Sequence, residues 1–281
     1  MKVIKTKKDL SIYLETVRDS KKGFVPTMGA LHEGHISLLK IARRENELLV
    51  SSLFVNPTQF NNSHDLEIYP RPLERDLEIL RQNEVDIAFV PSAEDIYREK
   101  SPWHMDLGHL ENVLEGAIRP GHFQGVTQIV KILFDLVQPT KAYFGQKDYQ
   151  QFLVIKKMVE TYSLPVNLVC CPIIRESDGL AMSSRNVHLN PVQRKESLAL
   201  SRTLNFMLAS GKTKNPDRLL QEAKEKLAGE PGIVPEYLVI ANAENLEPLH
   251  HWSDAPESLA LIAAKVGETR LLDNMFLTRN E

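Results

Sequence analysis

The stretch that decides the fold is Pro26-Thr27-Met28-Gly29-Ala30-Leu31-His32-Glu33-Gly34-His35. It follows the short apolar run Gly23-Phe24-Val25, which has the composition of a buried strand. After it, Leu38, Ile41 and Ala42 recur at the spacing of one helix face. The stretch is therefore predicted to be a turn that joins a strand to a helix.

Two histidines stand at this predicted helix entrance, and they suggest chemistry. Gly29 and Gly34 permit a close approach of the backbone, while helix-start N–H groups and the imidazoles of His32 and His35 converge on one point. Such a group can hold a polyphosphate and stabilise the charge that develops as it breaks. A surface or core role is the alternative for either histidine alone.

Outward from this stretch, short apolar runs alternate with helical patterns. Candidate strands cover residues 23–28, 48–55, 85–90, 141–144 and 166–171. Alternation of this kind predicts an α/β fold, with a Rossmann-like parallel sheet in a nucleotide-binding domain over residues 1–174. The pattern changes after Pro172, and a smaller C-terminal α/β domain is predicted over residues 175–281. Ligands of such sheets bind at the carboxyl ends of the strands, where the polar segments of this chain collect.

Composition excludes several classes of protein. The 281 residues are 42% hydrophobic and 25% charged, as in a globular protein, and the net charge of −3 argues against a nucleic-acid partner. No apolar run reaches the roughly 20 residues of a membrane span, and no signal-peptide core is present near Met1. The adjacent Cys170 and Cys171 point to opposite faces of a predicted strand, which favours packing over redox chemistry. We therefore expect a cytoplasmic, reduced protein without a membrane partner.

The segment Gly145-Gln146-Lys147-Asp148 lies at another predicted junction of strand and helix. A lysine at the end of a buried strand can reach nucleotide phosphates. The alternative is a helix cap in which Asp148 pairs with Gln151. Both roles can hold together.

A second candidate for phosphate binding lies in the predicted loop over residues 173–190. Met182-Ser183-Ser184-Arg185 supplies two hydroxyls, backbone amides and a guanidinium, which suit a mobile phosphate clamp. A solvated linker is the alternative.

Three further positions offer polar side chains near the same strand ends. Gln59 and Gln151 can orient a small hydroxy acid, with ordinary surface polarity as the alternative. Asp76 suits a water-mediated Mg²⁺ contact or a solvated helix face. The polar turn over residues 119–126 is expected to border the site with its basic residues.

Six motifs in order resemble those of the pantoate–β-alanine ligases, a family of the HIGH-type nucleotidylyl transferase superfamily that includes class I aminoacyl-tRNA synthetases. They occupy residues 26–35, 54–60, 69–71, 119–126, 144–148 and 178–186. The resemblance implies a ligase of pantothenate biosynthesis that joins pantoate to β-alanine. It uses ATP through a pantoyl adenylate and releases AMP and pyrophosphate. It also implies Mg²⁺, a homodimer and a lid role for the C-terminal domain.

The resemblance assigns roles to individual residues. His35, His32 and Lys147 would be catalytic, Gln59 and Gln151 would bind pantoate, and Gln59 would also lie near β-alanine. ATP would be bound by Met28, Gly29, Ala30, Leu31, His32, Glu33, Gly34, His35, Gly145, Gln146, Lys147, Asp148, Ile174, Met182, Ser183, Ser184 and Arg185. Glu33 and Gln146 occupy variable positions of the family pattern. No convincing Ser–His or Cys–His arrangement is present, which agrees with a route without an enzyme nucleophile.

Two other classes remain open at this point. One is another HIGH-type adenylating enzyme that acts on a different small carboxylic acid, including a tRNA-charging relative. The acidic balance and the length offer no obvious tRNA-binding surface for the latter. The other class is a catalytically silent nucleotide-binding module, against which the presence of His32, His35, Lys147 and Arg185 counts.

Overall fold

The computed structural model describes residues 1–61, 63–98 and 102–278, so residues 279–281 of the predicted C-terminal domain lie outside the described residues. The chain divides into two compact units. The first unit contains Met1–Gly145 and Gln151–Pro172, and the second contains Gln146–Gln150 and Ile173–Glu281. The short segment after Gly145 thus belongs by its contacts to the second unit.

A six-stranded parallel sheet forms the centre of the first unit. Its strands are β1 (Lys2–Ile4), β2 (Lys22–Thr27), β3 (Leu48–Leu53), β4 (Ile87–Phe89), β5 (Lys141–Gly145) and β6 (Asn167–Cys171). They are ordered β1-β4-β3-β2-β5-β6, and every pairing is parallel. The predicted α/β class and parallel sheet are confirmed. Strand β1 was not among the predicted strands, because three residues are too few to show a period.

The strand order places a topological switch point between β2 and β5. The chain proceeds from β2 through β3 to β4 on one side, and from β5 to β6 on the other. Ligands of open α/β sheets bind at the carboxyl ends of the strands beside such a point. The turn that begins at Met28 follows β2 there, and Gly145 ends β5.

Helices alternate with these strands along the chain. They are α1 (Lys7–Glu15), α2 (Glu33–Glu45), α3 (Ser63–Ile68), α4 (Leu73–Gln82), α5 (Ala93–Ile96), α6 (His109–Asn112), α7 (Leu114–Ile118), α8 (His122–Val137) and α9 (Tyr149–Thr161). A 3₁₀ turn, Pro57–Gln59, follows β3, and another, Gln146–Asp148, follows β5. Helix α2 buries Leu38, Leu39 and Ala42, as its sequence period requires. Gln138 ends α8 in the left-handed conformation with φ 48°.

The second unit has a core of its own. Helices α10 (Pro191–Ser210) and α11 (Pro216–Ala228) accompany an antiparallel sheet of β7 (Ile233–Asn242), β8 (Ser258–Val266) and β9 (Thr269–Thr278), in the order β7-β8-β9. Asn190 and Asn215 cap the two helices, each followed by proline at the first helical position. Fully buried Leu204, Leu219 and Ile262 belong to the hydrophobic cluster that joins these elements.

The predicted loop over residues 173–190 has more structure than expected. Arg175 pairs with Ala181 in an antiparallel bridge, which closes a tight hairpin, and a 3₁₀ turn follows at Ser184–His188. The Glu176 N–H donates to the Leu180 carbonyl oxygen, and the Gly179 N–H donates to the Glu176 carbonyl oxygen. These two hydrogen bonds close the hairpin turn. Composition alone indicated a loop because hydrogen bonds of this kind leave no hydrophobic period.

The two cysteines lie in β6 as free thiols. Cys171 is 1% exposed, and burial raises the pKa of its thiol to about 12. Such a thiol is poorly suited to nucleophilic chemistry, in agreement with a packing role. In the part of the chain that the structure describes, no helix is both long and apolar enough to cross a membrane.

Candidate active site

The turn after β2 has an unusual backbone that a buried carboxylate holds. Gly29 and Ala30 both have positive φ, 80° and 51°, so the chain reverses within two residues. Asp76, in the first turn of α4, accepts hydrogen bonds from the backbone N–H groups of Ala30 and Leu31, each at 2.8 Å. A Cβ atom at Gly29 would lie 2.9 Å from Asp76 Oδ2. Asp76 therefore shapes the turn that leads to the two histidines.

The two histidines cap helix α2 with their own rings. His32 is the N-cap, and its Nδ1 accepts a hydrogen bond from the Gly34 N–H at 3.1 Å. The backbone N–H of His32 donates in turn to His35 Nδ1 at 3.3 Å, and the two ring centroids are 4.1 Å apart. A backbone N–H can only donate, so both Nδ1 atoms are acceptors and the ring proton of each neutral imidazole resides on Nε2. The fold thereby creates two neighbouring Nε2–H donors.

This arrangement changes the expected source of phosphate-binding donors. The backbone N–H groups of Ala30 and Leu31 donate to Asp76, and those of His32 and Gly34 donate to imidazole nitrogens. The Gly29 N–H donates to Thr27 Oγ1 at 3.2 Å. Internal acceptors therefore occupy these backbone amides in this structure, and their binding to a polyphosphate stays a prediction.

Asn56 and Gln59 form a buried amide pair beside the same turn. Asn56 is 1% exposed and caps the 3₁₀ turn, while its Nδ2 donates to Gln59 Oε1 at 3.3 Å and to the Gly125 carbonyl at 3.0 Å. Gln59 Nε2 donates to the sulfur of Met28 at 2.8 Å. The structure thus brings together Met28 and Gln59, two residues that the sequence assigned to ATP and pantoate. The Tyr97 hydroxyl fixes Asn56 by donating to its Oδ1 at 2.6 Å.

His122 and Arg119 support the backbone of Gln59. His122, 5% exposed at the start of α8, makes a hydrogen bond through Nδ1 to the Gln59 carbonyl oxygen at 2.8 Å. Because that oxygen only accepts, His122 donates from Nδ1 and its Nε2 accepts from Arg119 Nη1 at 3.0 Å. The basic residues of the turn over 119–126 therefore contact the candidate site, as expected.

The surroundings of Asp76 do not form a metal centre. The side chain is 2% exposed, so a solvated helix face is wrong for this position. Both carboxylate oxygens already accept backbone hydrogen bonds. Within residues 1–61, 63–98 and 102–278, no group of three or more His, Cys, Asp or Glu side chains could hold a metal ion. The described residues therefore do not assemble a direct Mg²⁺ site around Asp76, and a water-mediated contact stays a prediction.

Two predicted nucleotide-contacting segments lie in the second unit. Gln146 and Lys147 form a 3₁₀ turn that Asn274 of β9 holds: Asn274 Nδ2 donates to both backbone carbonyls at 2.9 Å. The Lys147 side chain is 18% exposed and lies 3.4 Å from the Asp148 carboxylate. In the hairpin, the Met182 N–H donates to the Ile174 carbonyl at 2.9 Å. Ser183 caps the following 3₁₀ turn with a bond from the Arg185 N–H at 3.2 Å, and Arg185 is exposed.

An ion-pair cluster ties the hairpin to α10. Arg194 contacts Glu176 at 2.6 Å and Asp178 at 2.7 Å. The hydrogen bond from Arg194 lowers the pKa of the Glu176 carboxyl. Asn186 Nδ2 joins the cluster by donating to Glu176 Oε1 at 2.6 Å and to the Ala181 carbonyl at 3.0 Å. The 3₁₀ turn that follows Ser183 is therefore fastened to the hairpin at its centre.

The remaining predicted residues occupy simpler positions. Glu33 is exposed at the first position of α2, and Gln151 is half-buried in the first turn of α9. Asn274 and Tyr97 were not among the predicted site residues, and His122 was expected only as a basic residue of the bordering turn. They lie 128, 41 and 63 positions from the residues they hold, so no local spacing could reveal them. The Arg-Pro-Gly-His motif was the one available signal, and it pointed to His122.

Comparisons with known proteins point to the same family as the six sequence motifs. The family model described as Pantoate-beta-alanine ligase matches residues 2–276. A protein of Thermosipho africanus named pantothenate synthetase is 45% identical, with 99% of this chain and 100% of the relative covered. A pantothenate synthetase of Porphyromonas gingivalis is 43% identical and covers 98% of this chain and 99% of its own.

Solved structures agree over the full length. The crystal structure of pantothenate synthetase from Thermus thermophilus matches with a TM-score of 0.94 at 43% identity, covering 99% of this chain and 100% of that chain. The pantoate-beta-alanine ligase of Francisella tularensis, complexed with beta-gamma ATP and beta-alanine, matches with a TM-score of 0.80 at 33% identity, covering 99% and 98%.

Proposed function

The chain belongs to the pantoate–β-alanine ligase family, and on that premise we propose which of its residues carry out the ligation. The protein is a ligase that uses ATP to join pantoate to β-alanine. The family match favours neither a different small carboxylic acid as substrate nor a silent nucleotide-binding module. The observation that carries the residue assignment is the pair of Nε2–H donors that His32 and His35 present at the start of α2.

The first step is adenylation. A carboxylate oxygen of pantoate attacks the α-phosphorus of ATP, a phosphorus–oxygen bond forms, and the bond to the bridging oxygen of pyrophosphate breaks. Negative charge then grows on the equatorial and leaving oxygens. His32 and His35 donate their Nε2 protons in hydrogen bonds to these oxygens, and the ammonium group of Lys147 adds positive charge. Fixed imidazole donors need no rearrangement at the transition state because the helix cap already orients them.

The second step forms the amide. The amine of β-alanine attacks the activated acyl carbon of pantoyl adenylate, the carbon–oxygen bond to AMP breaks, and the nitrogen releases a proton to water. No side chain of the enzyme becomes acylated. Burial raises the pKa of the Cys171 thiol to about 12, so this thiol keeps its proton at neutral pH. A protonated thiol is a poor nucleophile, which agrees with a route in which no cysteine is acylated.

Gln59 suits the recognition of pantoate because one of its two polar ends can exchange partners. Its Oε1 accepts from Asn56, and its backbone carbonyl is held by His122. Its Nε2 donates to the Met28 thioether, which is a weak acceptor. We assign Nε2 to a pantoate oxygen, which is a better acceptor than sulfur, with Gln151 as the second pantoate contact and Gln59 also beside β-alanine.

ATP contacts are proposed in both units, each from its own residues. In the first unit they are Met28–His35 and Gly145, with the imidazoles as the main donors. In the second unit they are Gln146, Lys147, Asp148, Ile174, Met182, Ser183, Ser184 and Arg185. Mg²⁺ enters as part of the MgATP substrate. A homodimer, a cytoplasmic location and a lid role for the C-terminal region are further proposals that the family likeness supports.

The adenylate route is tested by rapid acid quench with labelled pantoate. Enzyme given ATP, Mg²⁺ and pantoate without β-alanine is expected to form bound pantoyl adenylate together with pyrophosphate. Added β-alanine is then expected to convert that intermediate to pantothenate and AMP. Label that stays on denatured protein contradicts the route, and so does an absolute requirement for β-alanine before pyrophosphate appears. Pyrophosphate exchange with other small acids measures the substrate alternative in the same preparation.

A further inference from the structure

We propose that Asp273 and Asn274 of β9 are positioning residues that hold Lys147 and the Ile174–Met182 hairpin in fixed relation within the second unit. The inference rests on the proposed role of Lys147 in binding ATP phosphates. Neither residue lies in one of the sequence motifs on which the proposed function rests. Both are nevertheless buried polar residues, 3% and 2% exposed as whole residues, in a strand that pairs with the largely apolar β8.

Asn274 makes three hydrogen bonds to one short turn. Its Nδ2 donates to the carbonyls of Gln146 and Lys147, each at 2.9 Å, and its Oδ1 accepts from Gln146 Nε2 at 3.0 Å. An amide is the side chain that can donate twice and accept once in this geometry. The backbone of Lys147 is therefore fixed by a residue of β9, 127 positions away.

Asp273 connects the same strand to the hairpin. Arg175 donates to Asp273 through both Nη atoms, at 2.6 and 3.0 Å, in a bidentate pair, and also donates to the Gly179 carbonyl at 3.1 Å. The Asp273 side chain is 1% exposed. Its Oδ1 accepts one more hydrogen bond, from the Asn274 backbone N–H at 2.8 Å. The two neighbouring residues thus form a single hydrogen-bonded path.

This path joins the two segments that the second unit offers to ATP. One end is the turn with Lys147, and the other is the hairpin in which Met182 bonds to Ile174. Buried and fully bonded polar groups hold one geometry more strictly than exposed ones, because any displacement leaves a donor or acceptor unpaired. Lys147 is flexible along its four-carbon stem, so a fixed backbone limits where its ammonium group can reach.

The test is a double-mutant cycle on single-turnover adenylation with Asn274→Ala and Lys147→Ala. Asn274→Ala is expected to slow the step about 10-fold, within the roughly 10² that a misplaced group can cost. In the Lys147→Ala background the same change is expected to cost less than about 2-fold, because the side chain it positions is already gone. A merely structural role would give equal factors in both backgrounds. Hydrogen exchange at the amides of residues 146–148 is expected to rise in Asn274→Ala.

Asn242→Ala is the matched control, because Asn242 lies in β7 of the same sheet and its side chain accepts from the Glu244 N–H. It is expected to leave adenylation within about 2-fold of the wild type while lowering thermal stability comparably. Equal factors in the two backgrounds, or an unchanged rate in Asn274→Ala, overturn the inference. An unchanged rate in Lys147→Ala instead overturns the proposed role of Lys147, and exchange at residues 146–148 still decides whether Asn274 anchors the turn. If Asn274→Ala does not fold, Asn274→Ser is judged by the same criteria.

Discussion

In the proposed mechanism, the single residue His35 serves both the helix and the reaction. Its Nδ1 accepts the His32 N–H and completes the N-terminal cap of α2, and this bond forces the ring proton onto Nε2. The structural role of one nitrogen therefore sets the chemical role of the other. The proposed role does not require a protonated histidine, since a neutral Nε2–H is already a donor.

The two roles of His35 can be separated by substitution. His35→Ala removes both, whereas His35→Asn retains an acceptor near the position of Nδ1 and removes Nε2–H. Both variants are expected to slow adenylation by about 10² to 10³, the usual cost of one preorganised donor. His35→Ala alone is expected to lose about 1 kcal/mol of unfolding free energy through the lost cap.

Rapid quench and urea unfolding measure the two effects, with the exposed His104→Ala as the control. Normal single-turnover adenylation in His35→Asn would remove Nε2 from the mechanism. An unchanged unfolding free energy in His35→Ala would show that the ring does not support the helix cap.

Glu176 gives a residue-scale prediction on pH. The hydrogen bond from Arg194 lowers the pKa of Glu176 in the folded protein below its unfolded value of about 4.3. Its contribution to stability is therefore complete above the unfolded pKa and is lost as the pH falls through the folded pKa. Glu176→Gln is expected to lower the unfolding free energy by less than about 1 kcal/mol at pH 7, because the pair is partly exposed.

The difference between Glu176→Gln and the wild type is expected to shrink as the pH falls from the unfolded pKa of about 4.3 through the lowered folded pKa, and to vanish where the wild-type carboxyl is neutral in both states. Urea unfolding at several pH values measures it, with the exposed Glu244→Gln as the comparison. A difference that stays constant as the pH falls from neutral to about 2 would mean that the carboxylate charge is not its source.

At the scale of elements, the backbones of α8 and the 3₁₀ turn Pro57–Gln59 approach each other closely. A Cβ atom at Gly125 would lie 2.3 Å from the Thr58 carbonyl oxygen and 2.8 Å from the Gln59 nitrogen. Gly125 therefore lets α8 support the turn that carries Gln59. The Asn56 side chain reinforces the approach by donating to the Gly125 carbonyl.

Gly125→Ala is expected to displace this turn. We expect a loss of about 1–3 kcal/mol in unfolding free energy from overpacking, together with a weaker affinity for pantoate, since Gln59 moves with the turn. Gly229→Ala is the matched control, because its nearest non-neighbour atom would lie 3.6 Å from the new Cβ. Titration calorimetry with pantoate measures the affinity. Wild-type affinity in a destabilised Gly125→Ala protein would separate the helix contact from the site.

At the scale of the whole molecule, each unit has its own hydrophobic cluster. Leu39 is fully buried in the first unit and Leu204 in the second. The two sheets also differ in kind, parallel in the first unit and antiparallel in the second. Each unit therefore has the means to unfold by itself.

Truncation of each cluster is expected to act locally. Leu204→Ala should lower the protection against hydrogen exchange in α10, α11 and β7–β9 by roughly 2–5 kcal/mol, the usual cost of such a cavity, and leave β2, β3 and β5 protected. Leu39→Ala should do the reverse and serves as the reciprocal control. A loss of protection across the whole chain in either variant would show that the chain unfolds as one cooperative body.

The sequence by itself determined the α/β class, five of the six parallel strands and the family of this protein. Those features depend on local information: hydrophobic period, turn residues, and contiguous motifs such as the one over residues 26–35. It also placed predicted site residues in the polar turns after β2 and β5, which lie at one edge of the parallel sheet, and their roles stay predictions.

Only the tertiary structure decided what those residues do to one another. The proton positions on His32 and His35 depend on hydrogen bonds whose partners meet only in the folded chain. The same holds for the burial of Asp76 against the turn and for the hydrogen bond from Asn274 to the Lys147 carbonyl. Asp76 is 45 residues from Leu31, and Asn274 is 127 from Lys147. A hydrogen bond requires its donor and acceptor to lie within a few tenths of an ångström of the preferred distance. Strand order and helix packing set these distances, and local spacing in the sequence does not encode them.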